Sequence, residues 1–444
     1  MEINGVEIEI GPGVNLSHDD LSDADLSGVD LSGATLSEAF LQNTNFAGAN
    51  LSSADLSNSW IHGADLSGAN LSNANLSHAN LTEANLTEAS LHRVDAMNAD
   101  FSGANLSKAY IVQGNLTEAN LSGADLSGAN LNRAWLNNSD LSNVNLSGAE
   151  LVSANLSEAN LSEADLSGAN LGLAFLEKAN LSGADLSGAN LNRAYLDNSD
   201  LSNANLSGAK LMSANLSEAN LSEADLSGAN LALASLEKAN LSEANLSEAK
   251  LLSAWLKEAN LKGTNLSDAD LMSAFLCGAD LSGADLSNTL LQQANLSEAN
   301  LSGANLTKTR LQRSQADNSD LSGADLTGAY LRQASFENAN LSGADLTGAN
   351  LTFASFYKSN LSEANLSEIE ALLSGFDKAD LSGANLTSAN LRYSSFQQAD
   401  LSGANLTGAK LDLANLINAN LSDANLFGAT QHCTVMPNGN VNFE

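Results

Sequence analysis

Cysteine is nearly absent: Cys277 and Cys433 stand alone in 444 residues. Two thiols cannot build a disulfide framework, and they fit a reducing compartment such as the cytoplasm. Basic residues are also few. Lys and Arg number 18 against 52 Asp and Glu, leaving a formal charge of -34 and a pI near 4.1. That balance argues against nucleic-acid binding through a basic surface, because neutralising phosphates needs clustered Lys and Arg. Long apolar runs are missing. No stretch approaches the ~20 apolar residues of a membrane helix, so membrane insertion is not expected. The opening MEINGVEIEIGPG has no basic start and no apolar run, so a signal peptide is not expected either. Without secretion, the many NLS and NLT triplets are by-products of repetition rather than glycosylation sites.

Chemistry-bearing motifs are missing too. There is no Gly-rich phosphate loop, nucleophile elbow or zinc spacing. The histidines His18, His62, His78, His92 and His432 are expected on different sides or ends, with His18 and His78 in no common column. No metal cluster, no cofactor and no enzymatic activity is expected.

What the chain has is a refrain, Ala-(Asp/Asn)-Leu-(Ser/Thr)-x. From Leu16 to Leu426 the Leu position recurs every five residues over 83 repeats without insertion or deletion. Only 11 centres are not Leu: Phe46, Ile61, Ala96, Phe101, Ile111, Ala316, Phe336, Phe356, Ala371, Phe376 and Phe396. A short fixed period overrides the usual division of a long chain into globular domains. Period five does not suit an α-helix, where successive Leu residues would be rotated by ~140° and leave no apolar stripe. Nor does it suit a long strand, because an odd period sends alternate Leu residues to opposite faces. The remaining solution bends once per repeat. Ala and Leu point in, Asp or Asn points out, and the last two residues turn the corner.

The irregular residues count the corners. Trp135, Phe175, Tyr195, Trp255 and Phe275 are separated by multiples of 20, as are Phe40 and Trp60, and Phe336, Phe356, Phe376 and Phe396. Stacked like residues at that interval imply four repeats per coil. A longer duplication relates 126–185 to 186–245 at a period of 60, or three coils. It brings back LNRAWLNNSD as LNRAYLDNSD.

This chain resembles the pentapeptide-repeat proteins over roughly residues 16–430. The resemblance implies an all-β fold, a right-handed quadrilateral parallel β-helix with Leu or Phe at the inward centre. The 83 repeats make about 21 coils, and at ~4.8 Å per stacked strand the rod is about 100 Å long. Residues 1–15, with Val6, Ile8 and Ile10 alternating against Glu7 and Glu9, read as an N-terminal cap strand, and 431–444 as a C-terminal cap with a Pro-Asn-Gly turn. Terminal coils need such covers because their open edges invite association. Ile369 before Ala371 and Val94 before Ala96 conserve volume within one repeat. Ser314 before Ala316 does not, which leaves a void or filling by Phe336.

Sorting outward residues by side separates two characters. Two adjacent sides carry Asp or Asn almost throughout, with Phe40 and Trp60 as exceptions. Their acids include Asp125, Asp140, Asp165, Asp185, Asp200, Asp225, Asp280 and Asp285. The other two sides break the refrain. Beside the column of Trp135, Phe175, Tyr195, Trp255 and Phe275 run Arg133, Leu173, Arg193 and Leu233, and then Val152, Met212, Leu252 and Met272. Arg93, Val112, Tyr110 and Lys210 extend the pattern. These residues form a corner ridge that is apolar, aromatic and locally basic. Repeat drift with stabilising stacking would account for some of it. In-register clustering of Trp, Tyr, Met and Arg on one corner reads as a contact surface.

Two functions follow. The first is a non-enzymatic scaffold or interaction rod that uses the ridge, either with a protein partner or as a lengthwise two-fold homodimer. The second comes from the resemblance, since some family members imitate DNA and bind bacterial type II topoisomerases. The -34 charge compares with roughly 60 phosphates on an equal length of duplex. Against it, the chain has no loop insertion and no pairing helix. Specific calcium sites and ice binding are disfavoured, because the calcium-binding nonapeptide is missing and Ser outnumbers Thr on the regular sides.

Overall fold

The computed structural model describes residues 2–3, 6–7 and 9–443. The chain divides into two units, Met1–Asp225 and Leu226–Glu444. Both follow one rule, which a single repeat explains.

In Leu156-Ser157-Glu158-Ala159-Asn160, three N–H groups bond to neighbouring coils. Leu156 donates to Phe175 O at 2.7 Å, Glu158 to Glu177 O at 2.9 Å, and Asn160 to Ser139 O at 3.0 Å. Ala159 closes the corner by donating to Leu156 O at 3.0 Å. The fifth N–H, on Ser157, is taken by the side-chain oxygen of Asn155 at 3.1 Å. Every donor of the repeat is therefore satisfied, as an enclosed backbone requires. The Asp or Asn two places before each Ser is there to accept this bond, an Asx turn.

The corner needs its third residue in the left-handed region, and Glu158 sits at φ 59°. This is the turn class that favours Gly or Asn at that place. Among the described residues no Val, Ile or Thr holds positive φ, because a branched Cβ cannot enter that region cheaply.

Each side contributes one bridged residue rather than a strand. The bridges are parallel and join residues 20 apart, running from Asn15–Thr35 to Asn205–Asp225 in the first unit and from Asn230–Lys250 to Asn415–Val435 in the second. Four repeats therefore complete a coil. The first unit opens with an antiparallel hairpin, β1 (Glu2–Ile3) and β2 (Val6–Glu7). So the expected single cap strand is part of a hairpin, and Ile8 lies outside the described residues. The second unit closes with β3 (Thr434–Val435) and β4 (Val441–Asn442), also antiparallel. Asp412 clasps this end. It accepts from His432 N at 3.0 Å, Thr430 Oγ1 at 3.0 Å and Arg392 Nε at 3.1 Å.

The core is a stack of buried Leu with Ala beside it. In the second unit Phe336, Phe356, Phe376 and Phe396 form one internal column, with ring centroids 5.2, 5.1 and 4.9 Å apart and nearly parallel planes. The lapses in small residues have local answers. Val94 is matched by Ala96 and also by Gly114 in the next coil. A Cβ on Gly114 would lie 2.9 Å from Ile111 Cγ2 and 3.2 Å from Val94 Cγ1. Ser314 turns its hydroxyl onto Leu311 O at 2.8 Å, and Phe336 stacks in the column of Ala316.

One expectation is corrected. Residues 20 apart stack, so His18 and His78 do share a corner column, three coils apart. That is about 14 Å at the spacing of stacked strands, too far to share an ion.

Candidate interaction ridge

In the first unit the outward column Asn115, Trp135, Asn155, Phe175, Tyr195, Asn215 is continuous through its bridges. Trp135 is the most exposed of its aromatics at 60%, against 40% for Phe175 and 42% for Tyr195. Phe175 and Tyr195 stack with centroids 5.2 Å apart and planes 4° off parallel. Arg133, Leu173 and Arg193 occupy the adjoining corner, all with φ near +60°. Leu173 and Met212 are each 43% exposed, and Val152 is half-buried. A depression of about 460 Å³ opens here, lined in part by Tyr110, Val112, Arg133, Val152 and Leu173.

The arginines are not equivalent. Arg93 and Arg313, on the same corner in their respective units, each donate Nε to a Gln one coil on, Gln113 and Gln333, at 2.9 Å. Arg133 and Arg193 face Ser153 and Ser213 instead. Among the described residues neither side chain makes a hydrogen bond or an ion pair. They are exposed cations on an acidic molecule.

In the second unit Trp255 and Phe275 stack at 4.7 Å. Leu233 and Leu252 are exposed, with Met272 half-buried beside them.

The Asp columns serve the backbone. Asp125, Asp140, Asp165, Asp185 and Asp200 each cap a Ser N–H two residues on, at 2.9–3.0 Å. Asp280 and Asp285 do the same in the second unit. Asp225, the last residue of the first unit, lies in the same column as Asp185 through Asn205. Asn side chains also donate down the column to the coil before, as Asn145 does to Asp125 at 3.1 Å and Asn205 to Asp185 at 3.0 Å. Asp20, Asp25, Asp30 and Asp400 are held below the usual carboxylate range, chiefly by bonds from the Ser two residues on.

Sequence reasoning missed one set of residues. Where the outward residue is not Asp or Asn, the N–H two places later loses its cap. At some of these places a replacement acceptor comes from the preceding coil. Asn132 Oδ1 accepts from Val152 N at 2.7 Å, because Glu150 cannot supply the Asx turn. Asn192 Oδ1 accepts from Met212 N at 2.9 Å, because Lys210 cannot. Asp317, Asp377 and Asp412 do the same for Glu337, Gln397 and His432. The Asn of LNRAW and LNRAY is thus a relocated cap. The signal in sequence is an Asn or Asp in the Ser position, 18 residues before an outward residue that is neither.

His18 Nδ1 meets Glu38 at 3.3 Å and His62 Nδ1 meets Thr82 Oγ1 at 2.7 Å, both exposed. Among the described residues no three metal-ligating side chains converge, and no helix is long and apolar enough to cross a membrane.

The family model for pentapeptide repeats matches in eleven segments between residues 24 and 430. The chain belongs to the pentapeptide-repeat family. A search of curated protein sequences gives no match. Among solved structures, the pentapeptide-repeat protein HetL of the cyanobacterium Nostoc, involved in regulating heterocyst differentiation, is 38% identical. That match covers 51% of this chain and 91% of HetL at a TM-score of 0.27. QnrB1, a plasmid-mediated fluoroquinolone resistance protein, is 19% identical over 39% of this chain and 87% of its own, TM-score 0.32. A pentapeptide-repeat protein of the Arabidopsis thaliana thylakoid lumen is 33% identical over 24% of this chain and 70% of its own, TM-score 0.19. Membership of the family rests on the repeat match and not on these superpositions.

Proposed function

We propose that this pentapeptide-repeat protein is a non-enzymatic scaffold that holds a protein partner along its ridge, and we assign its coils the right-handed winding of the family. One observation carries the reading. Bulky side chains are kept exposed at corner positions whose backbone favours Gly or Asn. Leu173, at φ 60° and 43% exposed, is the plainest case. A left-handed Leu costs about 1–2 kcal/mol, and its exposed side chain gives the fold little in return. Residues held against local preference cluster where a surface is used, and Trp, Tyr and Arg are the types that carry interface energy.

A second reading, an acidic decoy that binds a bacterial type II topoisomerase in place of DNA, is favoured by the -34 charge and the two Asp-bearing sides. A DNA gyrase supercoiling assay separates the two. The scaffold reading expects no inhibition even at large excess of protein. Near-stoichiometric inhibition that is relieved by salt and by Asp→Asn changes at Asp125, Asp140, Asp185 and Asp200, but not by Trp135→Ser with Tyr195→Ser, would overturn it in favour of the decoy.

A further inference from the structure

We infer that the first unit pairs with a second copy of itself, antiparallel, across the side that carries Glu150, Asn170, Asn190 and Lys210. The two-fold axis passes between the coils of Asn170 and Asn190. This rests on the reading of the ridge as a contact surface and names the partner as this same chain.

The charges on that side choose the geometry. Its outward column runs Asp30, Asn50, Asn70, Ser90, Tyr110, Asn130, Glu150, Asn170, Asn190, Lys210. Asp30 lies six coils before Glu150, and between Asn50 and Lys210 the charged members are Glu150 and Lys210, opposite in sign and three coils apart. An antiparallel pair centred between them sets Glu150 against Lys210 of the second copy, twice. A parallel pair in register sets Glu150 on Glu150 and Lys210 on Lys210, which repel. Both side chains are exposed. Glu150 Oε2 accepts only an amide bond, from Asn170 at 2.8 Å, and among the described residues Lys210 makes no ion pair. Each therefore has its charge free for a partner.

The backbone has been adjusted to keep these two charges. Asp or Asn at either position would cap its own turn. Instead Asn132 and Asn192 supply the missing acceptors from the coil before. Simple drift gives no reason for two compensated departures of opposite sign at matching places in the duplication.

The same two-fold assembles the flanks. On the ridge edge it brings Val152 to Met212 and Leu173 to Arg193 of the second copy, with the Phe175–Tyr195 stack meeting its own image. No arginine meets its equivalent. On the other edge lie Gly148, Gly168, Gly188 and Gly208. None of these has a side chain to stand between the two copies along that edge. Four coils give a contact roughly 15–20 Å long, which belongs with small, transient interfaces. The pair is expected to be reversible and concentration-dependent, with mutual repulsion of the acidic copies screened by salt.

Sedimentation equilibrium of the full chain, at physiological salt and up to several hundred micromolar, tests this. Wild type should dimerise reversibly. Glu150→Lys and Lys210→Glu should each weaken the dimer at least about tenfold by creating like-charge contacts, and the double exchange should restore it. Circular dichroism should be unchanged throughout, since both sites are exposed. A monomeric wild type, or single exchanges that dimerise as well as wild type, or a double exchange that fails to recover, overturns the proposal. If Trp135→Ser with Tyr195→Ser abolishes association while the charge exchanges do nothing, the ridge reading survives and this two-fold fails.

Discussion

Asp185 sits directly on Asp165 in one outward column, one of three places among the described residues where Asp stacks on Asp. Replacing it with Asn should stabilise the first unit. In these columns an Asn donates Nδ2 to the coil before, as Asn205 does to Asp185 at 3.0 Å. Asp185 has no such proton to give Asp165. The change Asp185→Asn supplies one, worth about 1.5–3 kcal/mol for a bond to a charged acceptor. It also removes a like-charge contact of about 0.2–1 kcal/mol. The bond from Ser187 N, now 2.9 Å, is kept because an amide oxygen accepts as well. The bond from Asn205 loses its charged acceptor, which weakens it by about half. The net is a gain of roughly 1 kcal/mol. The reverse change, Asn205→Asp, deletes a donated bond and creates two new Asp pairs, with Asp185 and with Asp225. It should cost at least about 2 kcal/mol. Urea unfolding of the two variants and wild type, with amide exchange at Ser187 as the local probe, gives the comparison. If Asp185→Asn destabilises, or the two changes shift stability in the same direction, the ladder does not hold the coils as described.

Phe356→Ala in the internal ring column should cost about 3–5 kcal/mol, with loss of both ring stacks, and thermal unfolding should show it. Gly114→Ala should destabilise by about 1–3 kcal/mol through its clash with Val94 and Ile111. Adding Val94→Ala relieves only the 3.2 Å contact and leaves the closer ones to Ile111, so it should recover part of that loss, and a strictly additive double variant would contradict the packing account. Asp412 is held below the usual carboxylate range. Burial alone would raise it, and the bonds from His432, Arg392 and Thr430 together outweigh that effect. A depressed carboxylate stabilises fully above its unfolded value and loses that contribution as pH falls through the folded one. Exchange protection at the His432 amide should therefore hold at neutral pH and fall below about pH 4, and Asp412→Ala should remove it at every pH.

The fold was legible because a five-residue period leaves few physical solutions, and because stacked Phe336, Phe356, Phe376 and Phe396 expose the 20-residue coil directly. The ridge columns were legible by the same arithmetic, which failed only where it was not carried through, at His18 and His78. The role of the Asp and Asn columns was not legible. Read by charge, Asp185 is an acid on a surface. Read through the backbone, it is the acceptor that closes the account of N–H groups in its repeat. Asn132 was opaque for a related reason: its partner, Val152 N, is 20 residues away, and its purpose depends on Glu150 failing to cap. That dependence exists only once the register between coils is known. The end hairpins were half-read, since alternation marks a strand but does not name the segment it pairs with.

The central claim, that the ridge rather than the Asp sides is the surface this protein uses, is tested most directly by placing one photo-crosslinking phenylalanine analogue at Phe175 and, separately, at Asn180. The two positions are one repeat apart, on the ridge and on an Asp/Asn side. Illumination in the native host should give discrete protein adducts, a second copy among them, from position 175 and little from position 180. Adducts from 180 that equal or exceed those from 175 would contradict the account and move the functional surface to the acidic sides.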